Sequence, residues 1–243
     1  MQTSTGAAGE GENATALCKF WANAKCKGGG CRFRHAFLDE AERQHSAELR
    51  RHKEELKQRQ HDPLDPFEDK LPRSTRALVF GEWLVKTFGA ERLRQGSGVV
   101  DVAGGKGYLS FQLQCAGHDV PTTLIEPRPA KLHRKQVKSL NLRVERLEAE
   151  TARTILRDCS AVVGLHSDQA TEPIVDFALA HNKCFAVVPC CVFPSQFPDR
   201  RLKDGRRVVV PEEFIRYLME KDARIKVDYL EMAGRNKVVY MLP

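Results

Sequence analysis

Cys18, Cys26, Cys31 and His35 lie within eighteen residues in the pattern CX7CX4CX3H. Three thiolates and one imidazole complete a tetrahedral zinc shell and leave no open position, so the chemistry expected there is structural. The segment they enclose, with Gly28, Gly29 and Gly30, is too short to bury a core, and metal binding would supply its folding free energy. A second constellation begins at Asp101. Val99 to Ala103 is an apolar run that enters Gly104, Gly105 and Gly107, after which Leu109, Leu113 and Ala116 recur at helical spacing. Glycines there let the backbone bend sharply and approach a ligand closely, while the helix start offers unpaired N–H groups. A nucleotide-like molecule suits that turn. Asp101 would repel a pyrophosphate but suits a cationic ligand bearing an amino acid. Glu126 ends the next apolar run, from Thr122, where an acid can accept from both ribose hydroxyls.

A third group follows two later apolar runs. His166 and Asp168 come after Ala161 to Leu165, and Cys190 and Cys191 after Cys184 to Val188. Ligands of open α/β sheets lie at the carboxyl ends of the strands, so all four are candidate catalytic residues lining one crevice. His166 titrates in the range of a general base, or is a buried histidine bonded to a backbone carbonyl. Asp168 accepts from a ligand's amino group, orients the acceptor, or caps the helix opening near Thr171. The adjacent cysteines suit either a covalent nucleophile, which needs a lowered thiol pKa, or small apolar residues at a tight strand exit. Cys115, Cys159 and Cys184 read as core fillers.

The elements that must position these groups are legible from periodicity. With 243 residues and 42% hydrophobic content, the chain holds one full α/β domain and a small appendage. Residues 1–16 are small and polar and read as a disordered tail, 17–37 as the metal-binding segment, and 38–62 as an exposed charged linker helix. Asp62-Pro63-Leu64-Asp65-Pro66 breaks that helix and opens a domain over 63–243. There Ser74 and Thr75 can cap a helix with an apolar stripe of Leu78, Leu84, Val85 and Phe88. Strands are expected at the runs above and near Leu142 to Leu147, the last preceded by a basic helix, Ala130 to Leu140. Helices open at Thr171 and Pro211, and Ile225 to Met232 and Lys237 to Leu242 form a terminal hairpin. The expected fold is therefore α/β, a mostly parallel seven-stranded sheet closed by an antiparallel hairpin.

Several function classes are excluded or favoured at this level. No run of eighteen apolar residues occurs, so no membrane partner is expected, and the thiol pattern points to an intracellular setting, cytoplasmic or nuclear, with an organelle not excluded. The net charge of +7 and pI near 9.0 favour a polyanionic partner. Phe193 to Gly205 and the segment Arg200, Arg201, Lys203, Arg206, Arg207 form a basic loop that grips phosphates or is a solvated insertion; Lys70, Arg73 and Arg76 support the first reading.

The motifs also carry resemblances. CX7CX4CX3H, with Phe20, Trp21 and Phe33, resembles the CCCH zinc fingers of RNA-binding proteins, with one residue fewer between the second and third cysteines. That implies Phe20 and Phe33 stacking on unpaired bases and Lys19, Lys25, Lys27, Arg32 and Arg34 meeting phosphates, unless the aromatics form the finger's own small core. DVAGGKG at Asp101–Gly107, LIEP at Leu124–Pro127 and Leu147-Glu148-Ala149 resemble the motifs of class I, Rossmann-like methyltransferases that use S-adenosylmethionine. The resemblance implies that Asp101, Ala103, Gly104, Gly105, Gly107 and Glu126 hold that cofactor, with Glu148 meeting its adenine. Gly164-Leu165-His166 and Pro189-Cys190-Cys191 are similar to the branch containing tRNA 2′-O-methyltransferases. Ser167-Asp168-Gln169 departs from that branch, so the acceptor atom is left open. The expected function is methylation of structured RNA, tRNA or rRNA, with a ribonucleoprotein particle and its protein as further expected partners. The alternative is a catalytically silent methyltransferase-like RNA-binding or ribosome-assembly factor.

Overall fold

The computed structural model describes residues 17–18, 21–22, 26, 30–58, 62–115, 117–128 and 149–243. The chain divides into two compact units, Met1–Asp65 and Pro66–Pro243. In the first, Leu17 bridges to Arg34, and the Cys18 N–H donates to the Arg34 carbonyl at 2.9 Å. Helix α1, Glu40–Gln58, follows. Its start is fixed reciprocally: Asp39 Oδ1 accepts from the Glu42 N–H at 2.8 Å, and Glu42 Oε2 accepts from the Leu38 N–H at 2.7 Å. These bonds satisfy donors that a helix otherwise leaves open.

The second unit begins with α2 (Arg76–Phe88) and a short α3 (Ala90–Leu93), then β1 (Val99–Val102), α4 (Tyr108–Cys115) and β2 (Thr122–Ile125). Helix α5 (Ala149–Asp158), β3 (Ala161–Leu165), α6 (Thr171–Ala180), β4 (Cys184–Val188), α7 (Pro211–Met219), β5 (Lys226–Tyr229) and β6 (Lys237–Met241) complete it. The strands form one sheet in the order β2-β1-β3-β4-β6-β5, parallel from β2 to β4 and antiparallel at β6 and β5. The described residues thus contain six strands; the strand expected at Leu142–Leu147 and the helix at Ala130–Leu140 lie outside them.

Strands buried on both faces explain the near-continuous apolar runs. Along each strand alternate residues feed opposite cores. Val99, Val163 and Ala186 pack with Phe80 and Leu84 of α2 and Leu109 and Leu113 of α4. Val100, Val162 and Phe185 pack with Ile174 and Ala178 of α6 and Phe214 and Leu218 of α7. Cys159 and Cys184 are buried as expected, but Cys115, at the end of α4, is exposed. On α2 the buried face runs through Ala77, Phe80, Gly81, Leu84 and Phe88, leaving Leu78 outside the stripe at 41% exposure. No side chain caps α2: a 3-10 turn, Arg73–Thr75, leads into it and the Thr75 hydroxyl donates to the Pro72 carbonyl at 2.7 Å. Among the described residues no helix is long and apolar enough to cross a membrane.

The loop after β4 departs from the sequence reading. Arg200 is buried, donates to Glu172 at 2.6 Å and to the Val192 carbonyl at 2.8 Å, and lies over the rings of Phe197 and Phe214. Arg206 pairs with Asp204 at 3.0 Å and Glu213 at 3.7 Å. A buried guanidinium paired with Glu172 ties the loop to α6 rather than meeting phosphate. Of the two readings of this loop, phosphate gripping does not hold for Arg200, while Arg206 is exposed and paired with acids.

Candidate active site

Chain order reverses around β1, because β2 lies on one side of it and β3 on the other, and that switch opens a crevice at the strand ends. The turn leaving β1 lies at its mouth. Ala103, Gly105 and Gly107 all adopt positive φ, of 55°, 60° and 66°, and the Ala103 N–H donates to the Ile125 carbonyl at 2.7 Å. A non-glycine residue in that region is uncommon and is held there by its surroundings. Gly104 is required by contact: a Cβ on it would meet Asp101 Cγ and Leu124 Cδ1 at 2.6 Å.

Asp101 lies beneath this turn with no exposed surface. Its Oδ2 accepts from the Ser110 hydroxyl at 2.9 Å, while Oδ1 has no partner among the described residues, and burial pushes its pKa up to about 6. The carboxyl therefore packs beneath the turn, against Gly104. Glu126 has a second role as well. Its Oε2 accepts from the Gly105 N–H at 2.9 Å, and Oε1 accepts from the Arg128 backbone N–H at 3.1 Å and from Arg128 Nε at 2.8 Å. The Arg128 guanidinium holds the Glu126 carboxyl below the usual carboxylate range. Both oxygens are thus engaged, and the Arg128 side chain itself is exposed. Glu148 lies outside the described residues.

Across the crevice, His166 and Asp168 leave β3 with positive φ of 56° and 49°, and Phe193 after β4 adopts 54°. Together with Ala103, four strained non-glycine residues gather at the carboxyl edge of the sheet, where such strain accompanies function. His166 Nε2 lies 3.0 Å from the Arg235 carbonyl, which can only accept, so Nε2 carries the proton and Nδ1 is the basic nitrogen. Nδ1 lies 3.5 Å from Arg76 Nη1. Burial, and then the guanidinium groups of Arg76 and Arg73, lower the affinity of the ring for a second proton. The carbonyl bond fits the reading of His166 as a buried histidine and leaves Nδ1 as its unprotonated nitrogen.

Asp168 does not cap α6, whose first turn has no side-chain cap and is preceded by Ala170. Instead its Oδ1 accepts from the Cys190 thiol at 3.2 Å. Burial and this bond push Cys190 up to about 12. A thiol that holds its proton this firmly is a weaker nucleophile than a free one. Cys191 beside it is exposed. Arg128 and Arg235 escaped the sequence reading as site groups, and Arg76 was read only as a phosphate contact, not as a neighbour of His166. Arg128 alone carried a local signal, standing two residues after the acid across a proline.

In the first unit, the donor atoms of Cys18, Cys26, Cys31 and His35 all lie within 4.8 Å of one another, a set that fits one tetrahedral zinc. Trp21 donates its backbone N–H to Cys18 Sγ at 3.4 Å, and its ring stacks on His35 and tilts against Phe37. Trp21 and Phe37 therefore form the small core, whereas Phe33 is 56% exposed. Arg34 pairs with Glu42 at 2.7 Å and is not a free phosphate contact. Phe20, Lys19, Lys25 and Lys27 lie outside the described residues.

Residues 78–193 match the family model described as a methyltransferase domain, just under half of the chain. The matched stretch contains the turn, Glu126, His166, Asp168 and both cysteines. No curated protein matches the chain. Similar solved structures include a mutant of MtNAS in complex with S-adenosylmethionine, at 14% identity and TM-score 0.39, covering 69% of this chain and 62% of that one. The chain thus spans less than two thirds of that relative. Precorrin-6y C5,15-methyltransferase from Geobacter metallireducens GS-15 is 15% identical at TM-score 0.37, covering 70% and 88%. Streptomyces venezuelae DesVI is 15% identical at TM-score 0.39, covering 86% and 100%.

Proposed function

We propose that Pro66–Pro243 is a methyltransferase domain that binds S-adenosylmethionine against the turn between β1 and α4 and methylates RNA, with the Cys18, Cys26, Cys31, His35 segment holding zinc and aiding RNA binding. The carrying observation is the strained glycine turn at the strand-order switch, tied by Glu126 and packed on Asp101, within the stretch that matches a methyltransferase domain. Bound S-adenosylmethionine supplies an electrophilic methyl on a sulfonium. The protein's task is then to align the acceptor and to take its proton. His166 Nδ1 is the group suited to that proton, while Asp168, held by Cys190, orients the acceptor. The N–H groups of the turn and the Glu126 carboxylate, once Arg128 moves aside, receive the nucleoside.

RNA as substrate rests on the zinc-fitting Cys3His cluster, the exposed Phe33 and the net charge of +7. The test is transfer of tritiated methyl from S-adenosylmethionine to total cellular RNA. Label that is lost to nuclease and survives protease is expected. Label in polypeptide, or none, would contradict it. A second reading retains RNA binding without turnover, as in an assembly factor. It is favoured by Asp101 having no exposed surface and by both His166 nitrogens having neighbours at hydrogen-bonding range. Tight cofactor binding with no labelled RNA would select it.

A further inference from the structure

The segment ahead of α2 is stitched to the turn of the β5–β6 hairpin. Leu71 bridges to Met232, the Leu71 N–H donates to the Glu231 carbonyl at 3.3 Å, and the Ala233 N–H donates to the Leu71 carbonyl at 2.8 Å. These bonds bring Arg73 and Arg76 beside His166, ninety positions away in sequence for Arg76. The Arg73 guanidinium lies over Gly234, such that a Cβ there would meet its Nε at 3.1 Å. The next residue, Arg235, gives its carbonyl to His166 Nε2 at 3.0 Å. Arg76 Nη1 completes the arc 3.5 Å from Nδ1 of the same ring.

Arg73 and Arg76 are exposed, and neither makes an ion pair with a described carboxylate. Arg235 is partly balanced by Glu212 at 3.4 Å, and Asp168 is the acid whose charge acts on His166 from the strand side. Two guanidinium groups held at an imidazole, without a carboxylate between them, present planar sets of N–H donors to whatever enters. A phosphate oxygen fits such a fork better than any neutral group. The position beside the candidate base fixes what that phosphate belongs to.

We infer that Arg73 and Arg76 form a seat for a backbone phosphodiester of RNA next to the nucleotide presented to His166. The substrate identity rests on the RNA reading above, whereas the anion seat stands on the geometry alone. The phosphate fixes register and carries no sequence information, so the seat positions the acceptor nucleotide instead of selecting it.

The experiment measures binding of a fluorescently labelled single-stranded RNA to the full chain across a salt series, comparing wild type with Arg73→Ala, Arg76→Ala and the double variant. Each lost phosphate contact should flatten the slope of log affinity against log salt by roughly 0.7 for single-stranded RNA. Both arginines are exposed, so the fold should survive. Unchanged slopes in all three variants overturn the seat. If wild type binds no RNA, the RNA reading fails and inorganic phosphate decides the seat. At constant ionic strength, phosphate should shift the His166 imidazole resonances saturably in wild type and not in the double variant. No shift, or a shift surviving in the double variant, overturns it.

Discussion

The Gly105 N–H donates to Glu126 Oε2 at 2.9 Å, so the bend after β1 is held from the end of β2. The same carboxylate receives Arg128 on its other oxygen. Glu126 thus anchors the turn besides its proposed role at a ribose. Hydrogen bonds to a charged group contribute about 1.5–3 kcal/mol, so Glu126→Ala should weaken S-adenosylmethionine binding by roughly tenfold to a hundredfold in calorimetry. Arg128→Ala removes the guanidinium from Glu126, leaving only the backbone N–H at Oε1, and should bind the cofactor at least as tightly as wild type. A marked loss in Arg128→Ala would show that the arginine itself holds the ligand.

Asp101 makes the folded unit sensitive to pH. Its carboxyl binds its proton more tightly when buried, with a pKa raised from 3.8 to about 6, so its contribution favours folding at low pH. That contribution is lost as pH rises from 3.8 through 6, because the native state then gives up a proton it holds more firmly than the unfolded chain does. The interval corresponds to roughly 3 kcal/mol. Asp101→Asn removes the buried charge and should be more stable than wild type at pH 8, with the advantage shrinking towards pH 4. Thermal unfolding across that range measures it, and a constant difference at all pH values would contradict the assignment.

His166 has its proton affinity lowered by burial and by Arg76 and Arg73. A base of this kind is already free at neutrality, so kcat/KM should rise with pH through a midpoint below 6.5 and then level. In Arg76→Ala, one cation fewer faces the ring and the midpoint should move upward. A rate that keeps climbing beyond pH 8 would assign the controlling proton to another group.

The strands were legible because continuous apolar runs bounded by glycine or polar residues admit few alternatives: Ala161–Leu165 and Cys184–Val188 are found with the expected bounds. Side-chain direction was not legible. Nothing in the local sequence tells that Asp101 points under the turn, that Arg200 turns inward to Glu172, or that Leu78 and Cys115 face outward. Such directions are set by tertiary partners, and the approach of Arg76 to His166 spans ninety positions. The turn itself was readable because its glycines serve the local backbone, and the Cys18, Cys26, Cys31, His35 set because its spacing lies within one short segment.

Zinc should be present at one ion per chain. Removing it with a chelator, or making Cys26→Ser, should abolish the order of the Cys3His segment and reduce RNA affinity several-fold, while cofactor binding is retained. Metal analysis combined with RNA titration reads both effects. RNA affinity unchanged in Cys26→Ser would remove the segment's proposed role.

The most direct measurement is calorimetric titration of the full chain with S-adenosylmethionine, alongside Gly104→Ala. One saturable site per chain is expected in wild type, absent in Gly104→Ala because the added methyl would be driven against Asp101 and Leu124. No heat of binding in wild type, or saturable binding of a nicotinamide dinucleotide in its place, would contradict the account.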